Sequence, residues 1–410
     1  MRKIIASLDV GSSLIKLIVG EVVKNKVNIL ACVDTPARGI KKGYVINTES
    51  AKEAFIELFK KCDSILGIKI NKVLVSVPST FSNCFLASGI VTIKRENNLV
   101  NNKDIIRAME KSVKDKITDN LELISIQPSI FKINNEIVPN PLDIAANELE
   151  VKSVAITIPK KNVIGIETVL NSIGVEIIDY IISPLADYYQ YRQKDFNTTT
   201  GAIINIGSES TTVSIFNKGI LTNIEVLDIG SYAITKDLAY VYKVTNSDAA
   251  YLREHLALAH TRLSQPNESL TFTDRHGEMV KINQYDASEI VMGRLQEILN
   301  LAKKQINLLT KKEISYIMIV GGVTETQDFD ILVEETFGNS SFVGQVLEIG
   351  ARNNIYGTSI GMIKYYNSRL RLQNKEFTIL DKEEEDKLGG SAKKGESSVL
   401  GKLFAYFFDN

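Results

Sequence analysis

Cysteine and histidine are both scarce, three of each in 410 residues. Cys32, Cys62 and Cys84 stand far apart, each in an apolar run and in no metal-binding spacing. They read as reduced core thiols of a cytosolic protein, not as a disulfide framework. His255, His260 and His276 form no HExxH pattern, and His255 and His260 do not share a helix face, which argues against a metal site. The formal net charge is −1, so no overall field attracts nucleic acid, although local basic patches stay open. No run approaches the ~18 uninterrupted apolar residues of a membrane span. The N-terminus passes from Arg2-Lys3 straight into a strand-like run carrying Asp9, which is not how a signal peptide reads. What remains is an ordinary globular composition, 44% hydrophobic and 24% charged, at a length that predicts two domains.

The runs "KIIASLDV", "LIKLIVGEVV" and "NKVNILACVDTPA" predict a three-stranded meander whose first turn is Gly11-Ser12-Ser13. Residues 47–67 then follow a helical period, with Ala51, Ala54, Phe55, Leu58, Phe59 and Cys62 on one face, Thr48 or Asn47 as cap and Gly67 as stop. A buried strand ends at Pro78. From Phe81 the texture changes: a strand, a helix over "NNKDIIRAMEKSVKD" and two strands around Pro128 predict an inserted α+β subdomain. The main pattern is expected to resume at "VKSVAITIP", followed by a helix, a strand and the helix "SPLADYYQYRQKD", with Ser183 as cap and Pro184 at its first position. The meander then repeats at "GAIINIGSESTTVSIFNKGILTNIEVLDIG", about 200 residues later, and again leads into helices, a strand ("YIMIVGG") and two more helices. The expected fold class is a duplicated α/β fold with two domains around a cleft.

The two first turns resemble each other. "ASLDVGSSLI" carries Asp9, and "AIINIGSEST" carries Asn205 at the matching place. A turn of this kind presents successive backbone N–H groups to an anion, with glycine letting the chain pass close to a ligand. Two such turns facing across a cleft can clamp a pair of phosphates. Asp9 could then hold Mg²⁺ through water, and Lys16 could approach the phosphates as a point charge. The residues at stake are Asp9, Gly11, Ser12, Ser13 and Lys16 in the first copy and Asn205, Gly207 and Ser208 in the second. A single turn of this composition is equally consistent with an ordinary hairpin; the duplication is what favours a ligand. Gly321-Gly322, after a buried strand, reads either as a tight strand-to-helix turn or as close backbone approach to a nucleotide.

In this order, "SLDVGSSLIKLIVG", "SPLADYYQY", "AIINIGSESTTVSIF", "IMIVGGVTE" and "GTSIGMIKYY" resemble the phosphate loops, adenosine loop and connecting helices of the actin, Hsp70 and sugar-kinase superfamily. Within it the chain is similar to the bacterial FtsA family over roughly residues 1 to 370, including the basic segment "TPARGIKKGYVIN" and the position of the insertion. The resemblance implies an actin-like (ribonuclease H-like) fold. On that basis residues 1–80 and 151–197 are assigned to the first core, 81–150 to the inserted subdomain, 198–229 and 302–352 to the second core, 230–301 to its small subdomain and 353–372 to a connecting helix. It implies bound ATP and Mg²⁺, self-assembly into filaments, and tethering of the division protein FtsZ to the cytoplasmic face of the membrane at the division site. Later division proteins are the further implied partners, and nucleic acid is not one. The FtsZ C-terminal peptide would dock on the small subdomain, where Arg294 and Glu297 match the family's R-x-x-E helix; a surface salt bridge is the other reading of Arg294.

The chain departs from that family at four positions. Asn205 replaces an aspartate, and the family's A-E-x-x-K helix with its later glycine appears here with Ala250, Arg253 and Ala257. Arg253 can still stack over a base, but Ala250 cannot reach a ribose hydroxyl and Asn205 cannot act as a base. The expectation is therefore a nucleotide-gated scaffold with slow or absent hydrolysis. The competing readings are a pilus-assembly adaptor of the PilM kind and a small-molecule kinase; the kinase lacks a recognisable acid to deprotonate a substrate.

The C-terminal stretch is a separate matter. Residues 373–397 read as a charged flexible linker. Residues 398–410 follow a helical period that gathers Val399, Leu400, Leu403, Phe404, Phe407 and Phe408 on an apolar arc of about 200°. Such a helix on a tether suits a membrane interface, and docking on its own body or on a protein partner is the alternative. One short helix binds weakly, so attachment is expected to depend on assembly through avidity.

Overall fold

The computed structural model describes residues 3–95, 97–373, 375–380 and 384. The expected linker and the expected membrane residues Val399, Leu400, Leu403, Phe404, Phe407 and Phe408 lie outside the described residues, apart from Gln373, 375–380 and Glu384. No helix among the described residues is long and apolar enough to cross a membrane.

Ile4–Val10 is buried at all seven positions, as a strand covered on both faces must be. It is the middle of a five-stranded sheet in the order Glu176–Ile182, Lys72–Val77, Ile4–Val10, Leu14–Val23, Lys26–Pro36. The last three strands are the antiparallel meander and the first two join it in parallel. A second sheet repeats this order with Ser341–Val343, Tyr316–Val320, Thr200–Ile206, Thr211–Asn217 and Ile220–Leu227. Its pairing senses are also the same. The expected duplication is therefore present strand for strand. Helix Thr48–Leu66 covers the first sheet with the apolar face read from the sequence, and its cap is Asn47, whose side chain accepts from the Ser50 N–H.

The inserted subdomain is a four-stranded sheet, Asn83–Thr92, Glu148–Pro159, Leu121–Ile133 and Glu136–Val138, under helix Asn102–Val113. Two details differ from the sequence expectation. The run "VKSVAITIP" belongs to this sheet and pairs on both sides within it, so the inserted sheet continues to Pro159 instead of handing over to the first core at 151. An apolar run of this kind fits the middle of either sheet, and its local pattern does not say which. Leu121–Ile133 is one strand where two were expected; Pro128 sits at a register shift opposite Lys152 and Ser153, the irregularity that lets a strand carry proline.

Two helices join the halves, Ser183–Tyr191 and Gly357–Leu372. Contrary to expectation, Ser183 is itself the first helical residue and makes no capping bond, and Pro184 is the second residue of the helix, not the first; the helix begins one residue earlier than the sequence suggests, and proline fits there because the N–H groups of the first turn have no partner within the helix. The helices cross so closely that a Cβ on Gly361 would lie 2.0 Å from the Ala186 carbonyl oxygen. Around the crossing, Tyr188 stacks on Phe216 at 4.5 Å and Phe196 on Tyr316 at 3.6 Å, so aromatic rings carry the first core into the second half. The three cysteines are unpaired. Burial pushes the Cys62 and Cys84 thiols up to about 12.

Candidate functional site

The two loops are built by the same hydrogen bond. The Gly11 N–H donates to the Leu14 carbonyl at 3.1 Å, and the Gly207 N–H to the Ser210 carbonyl at 2.9 Å. A Cβ would stand 2.7 Å from Leu14 O in the first turn and 3.0 Å from Ser210 O in the second. In the first turn glycine is thus demanded by the turn itself; in the second a Cβ would fit only tightly. No hydrogen bond among the described residues uses the N–H groups of Ser12, Ser13, Ser208 or Glu209. Four donors in two matched turns are left for something else.

Charge is distributed unequally behind these turns. Asp9 lies directly opposite Lys16 in the first hairpin, and Lys16 Nζ stands 2.5 Å from Asp9 Oδ2. The same ammonium donates to the Ile355 carbonyl at 3.0 Å. The Ser76 hydroxyl donates to Asp9 Oδ1 at 2.8 Å and accepts from the Val10 N–H at 2.7 Å. In the second hairpin the corresponding pair is Asn205 opposite Thr212. Both charges of the first hairpin are missing there.

A carboxylate does stand close by, one that the sequence did not single out. Asn205 Nδ2 donates to Asp187 Oδ2 at 2.7 Å, and the Thr358 hydroxyl donates to Asp187 Oδ1 at 2.7 Å. Asp187 comes from the first connecting helix and Thr358 from the second. Asp187 is 1% exposed. Burial pushes its carboxyl up to about 7, with Asp9 adding to the rise, while Asn205, Thr358 and Lys16 pull the other way. The available signal was its place between the buried Leu185, Ala186 and Tyr188, where an acid is out of character.

Gly321 has φ 106, and a Cβ on it would meet Ile206 O at 2.4 Å and Asn205 Oδ1 at 3.0 Å. The tight turn and the packing against the second loop are therefore one constraint. Arg253, on helix Asn246–His255, donates to Thr235 Oγ1 at 3.1 Å and to Ser231 O at 3.3 Å, and pairs with Glu254 at 2.7 Å. Asp9, Gly11, Ser12, Ser13, Lys16, Asn205, Gly207, Ser208, Arg253, Gly321 and Gly322 all line one cleft of about 980 Å³. Lys42 crosses from one half to the other: its N–H donates to Glu209 Oε2 at 2.9 Å and its ammonium lies 3.0 Å from Asp228. Arg294 is absent from the cleft lining. It holds Asp237 at 2.6 and 3.0 Å and also pairs with Glu297, the salt-bridge arrangement named above.

Comparison with known proteins agrees with this architecture. Residues 202–361 match the family model described as cell division protein FtsA, and residues 82–157 match the SHS2 domain inserted in FtsA. The cell division protein FtsA of Bacillus subtilis is 24% identical over 379 residues, covering 92% of this chain and 86% of that protein. The Escherichia coli protein of the same name is 21% identical, covering 89% and 90%. Among solved structures, the PilM–PilN type IV pilus biogenesis complex aligns with a TM-score of 0.57 at 15% identity, over 88% of this chain and 97% of that one. MreB 5 of Spiroplasma citri bound to AMPPNP aligns with a TM-score of 0.56 at 11% identity, over 91% and 98%. These likenesses speak for an actin-like fold.

Proposed function

We propose, for a chain that belongs to the FtsA family of cell-division proteins, that the cleft binds ATP and that the protein is a nucleotide-gated scaffold rather than a working ATPase. The observation that carries this is the pair of matched turns, of whose unused N–H groups those of Ser12, Ser13 and Ser208 belong to residues lining one cleft. The size suits a nucleotide, and N–H nests are anion sites. The donor set fits the phosphates; Lys16 and Arg253 line the same cleft and would serve the phosphates and the base. Magnesium would be held chiefly by the phosphates, with Asp9 reaching it through water, which is how Mg²⁺ is usually held at such sites. Its charge would compete with Lys16 for Asp9. The ion would neutralise phosphate charge when bound.

The second half of the proposal concerns partners. The chain self-assembles, binds the C-terminal peptide of FtsZ through the small subdomain near Arg294, and reaches the cytoplasmic face of the membrane through Val399–Phe408 of its sequence. Membership of the family and the amphipathic pattern of that segment support this reading. The Arg294 contact would require the guanidinium to keep Asp237 while offering its remaining donors.

Three measurements on the full chain test these statements. Calorimetric titration with Mg-ATP should show one site, and Gly207→Val should abolish it while the protein stays folded by circular dichroism. Turnover at ordinary enzyme rates of about 10 per second would refute the scaffold reading. Removing residues 399–410 should leave a folded protein that no longer sediments with anionic liposomes, and unchanged sedimentation would refute the membrane assignment. A pull-down with the FtsZ peptide against a pilus-protein peptide separates the division reading from the adaptor one.

A further inference from the structure

The second loop has lost its carboxylate and the connecting helix behind it has one. Asn205 stands where the first loop has Asp9, and its amide donates to Asp187 at 2.7 Å. Asp187 takes its other hydrogen bond from Thr358, so one buried carboxylate joins the second loop to both connecting helices. Each member makes sense only with the other. An aspartate at 205 would put two carboxylate oxygens 2.7 Å apart, and the cation that serves Asp9 is already bound to it, while Thr212 in the second hairpin brings none. An apolar residue at 187 would leave the Asn205 amide and the Thr358 hydroxyl without their buried acceptor.

We propose that Asp187 is the positioning residue of the cleft: it fixes the Asn205 amide so that the second loop offers the ligand a neutral acceptor, and it ties that loop to the hinge. The oxygen of Asn205 is left beside Gly321, at the cleft, and its nitrogen faces the helix. The carboxyl stands behind the loop instead of facing the nucleotide, and there it ties the loop to both connecting helices. The inference deepens the nucleotide reading and rests on it for its binding arm only.

The experiment is an exchange cycle on the full chain: Asn205→Asp, Asp187→Asn, Asp187→Ala and the double variant Asp187→Asn with Asn205→Asp. Each is measured for urea stability and for Mg-ATP affinity by calorimetry. Asn205→Asp should lose affinity by about tenfold or more, because two carboxylates cannot both ionise at this distance. The double variant should recover to within about threefold of wild type, since an amide again faces a carboxylate. Asp187→Asn should stay near wild type by presenting its oxygen to Asn205 and its amide to Thr358, whereas Asp187→Ala should lose about tenfold. Rescue by the exchange is the readout that a merely space-filling role would not produce. If the two substitutions add without rescue, in stability as well as in affinity, the proposal is overturned. If wild type binds no Mg-ATP, the nucleotide reading fails, and the stability cycle alone still decides whether 187 and 205 act as a pair.

Discussion

Two glycines in helices should respond in opposite directions to the same change. Gly361 lies where the connecting helices cross; a Cβ there would be 2.0 Å from Ala186 O and 2.6 Å from Ala186 C. Ordinary contact begins near 3.4 Å, so the helices must part by about 1.4 Å. The obstacle is backbone and cannot rotate away. Overpacking of this kind costs typically 1–3 kcal/mol, and the better helix propensity of alanine returns roughly 1 kcal/mol at most. Gly361→Ala should therefore lower stability by about 1 kcal/mol, and by up to about 2 if the overpacking cost lies at the top of its range. Gly293, in helix Gln284–Leu309, has open space where its Cβ would be. There the propensity gain stands alone, and Gly293→Ala should raise stability by about 0.5–1 kcal/mol.

Urea unfolding of both variants beside wild type reads the sign directly. The hinge position adds a second readout. Parting the connecting helices changes the width of the cleft, so Gly361→Ala should also weaken Mg-ATP binding, while Gly293→Ala should leave it unchanged. A Gly361→Ala protein as stable as wild type would show that the helices do not cross at this separation. Loss of stability in Gly293→Ala would show that its face is covered.

Asp187 gives a pH prediction. Its carboxyl rises from 3.8 to about 7 on folding, so the folded protein keeps a proton that the unfolded chain has released. Stability from this group is therefore lost as pH climbs from about 4 to about 7, by at most about 4 kcal/mol, and Asp187→Asn should remove that slope; parallel urea curves for the two proteins at pH 5 and pH 8 would count against it. The Lys42 bridge across the cleft should restrain opening. Lys42→Ala cannot pair with Asp228, and Glu209→Gln weakens the bond to the Lys42 N–H, so each should speed release of a fluorescent ATP analogue severalfold, most visibly at low salt because Lys42 and Asp228 are partly exposed. The buried Cys62 thiol, pushed up to about 12, should carry about one thiolate in ten thousand at pH 8 and react with a disulfide reagent only on unfolding; rapid labelling of Cys62 in the native protein would contradict its burial.

The legible parts of the sequence were those whose signal is local. Gly11-Ser12-Ser13 and Gly207-Ser208 each announce a turn by their own chemistry, and the alternating apolar runs around them announce the strands. Repetition then identified the fold. What stayed hidden depends on partners distant in the chain. "VKSVAITIP" looks like a core strand wherever it pairs, and only Asn83–Thr92 and Leu121–Ile133 decide that it belongs to the insertion. Asp187 sits within a segment already recognised as a connecting helix, yet its meaning comes from Asn205, 18 residues on, and Thr358, 171 residues on. Lys42 likewise means nothing until Glu209 faces it.

The same distinction explains the asymmetry of the two loops. A duplicated hairpin that kept both charges would have Asp opposite Lys twice, and the cleft would hold two ion pairs. The first hairpin keeps its pair, Asp9 with Lys16, and the two compensate each other across one rung of the ladder. In the second hairpin the cation position is Thr212, so an acid at 205 would have no counter-charge within its own hairpin and would meet Asp187 behind it. Such an unpaired carboxylate at this half-buried position, against the buried Asp187, is unfavourable. Asparagine avoids that cost and keeps the turn, because Gly207 and Ser210 set its shape independently of the side chain at 205. The turn of the second loop is therefore retained while its charge is not, which is the combination the proposed scaffold needs if nucleotide is to be held without being consumed.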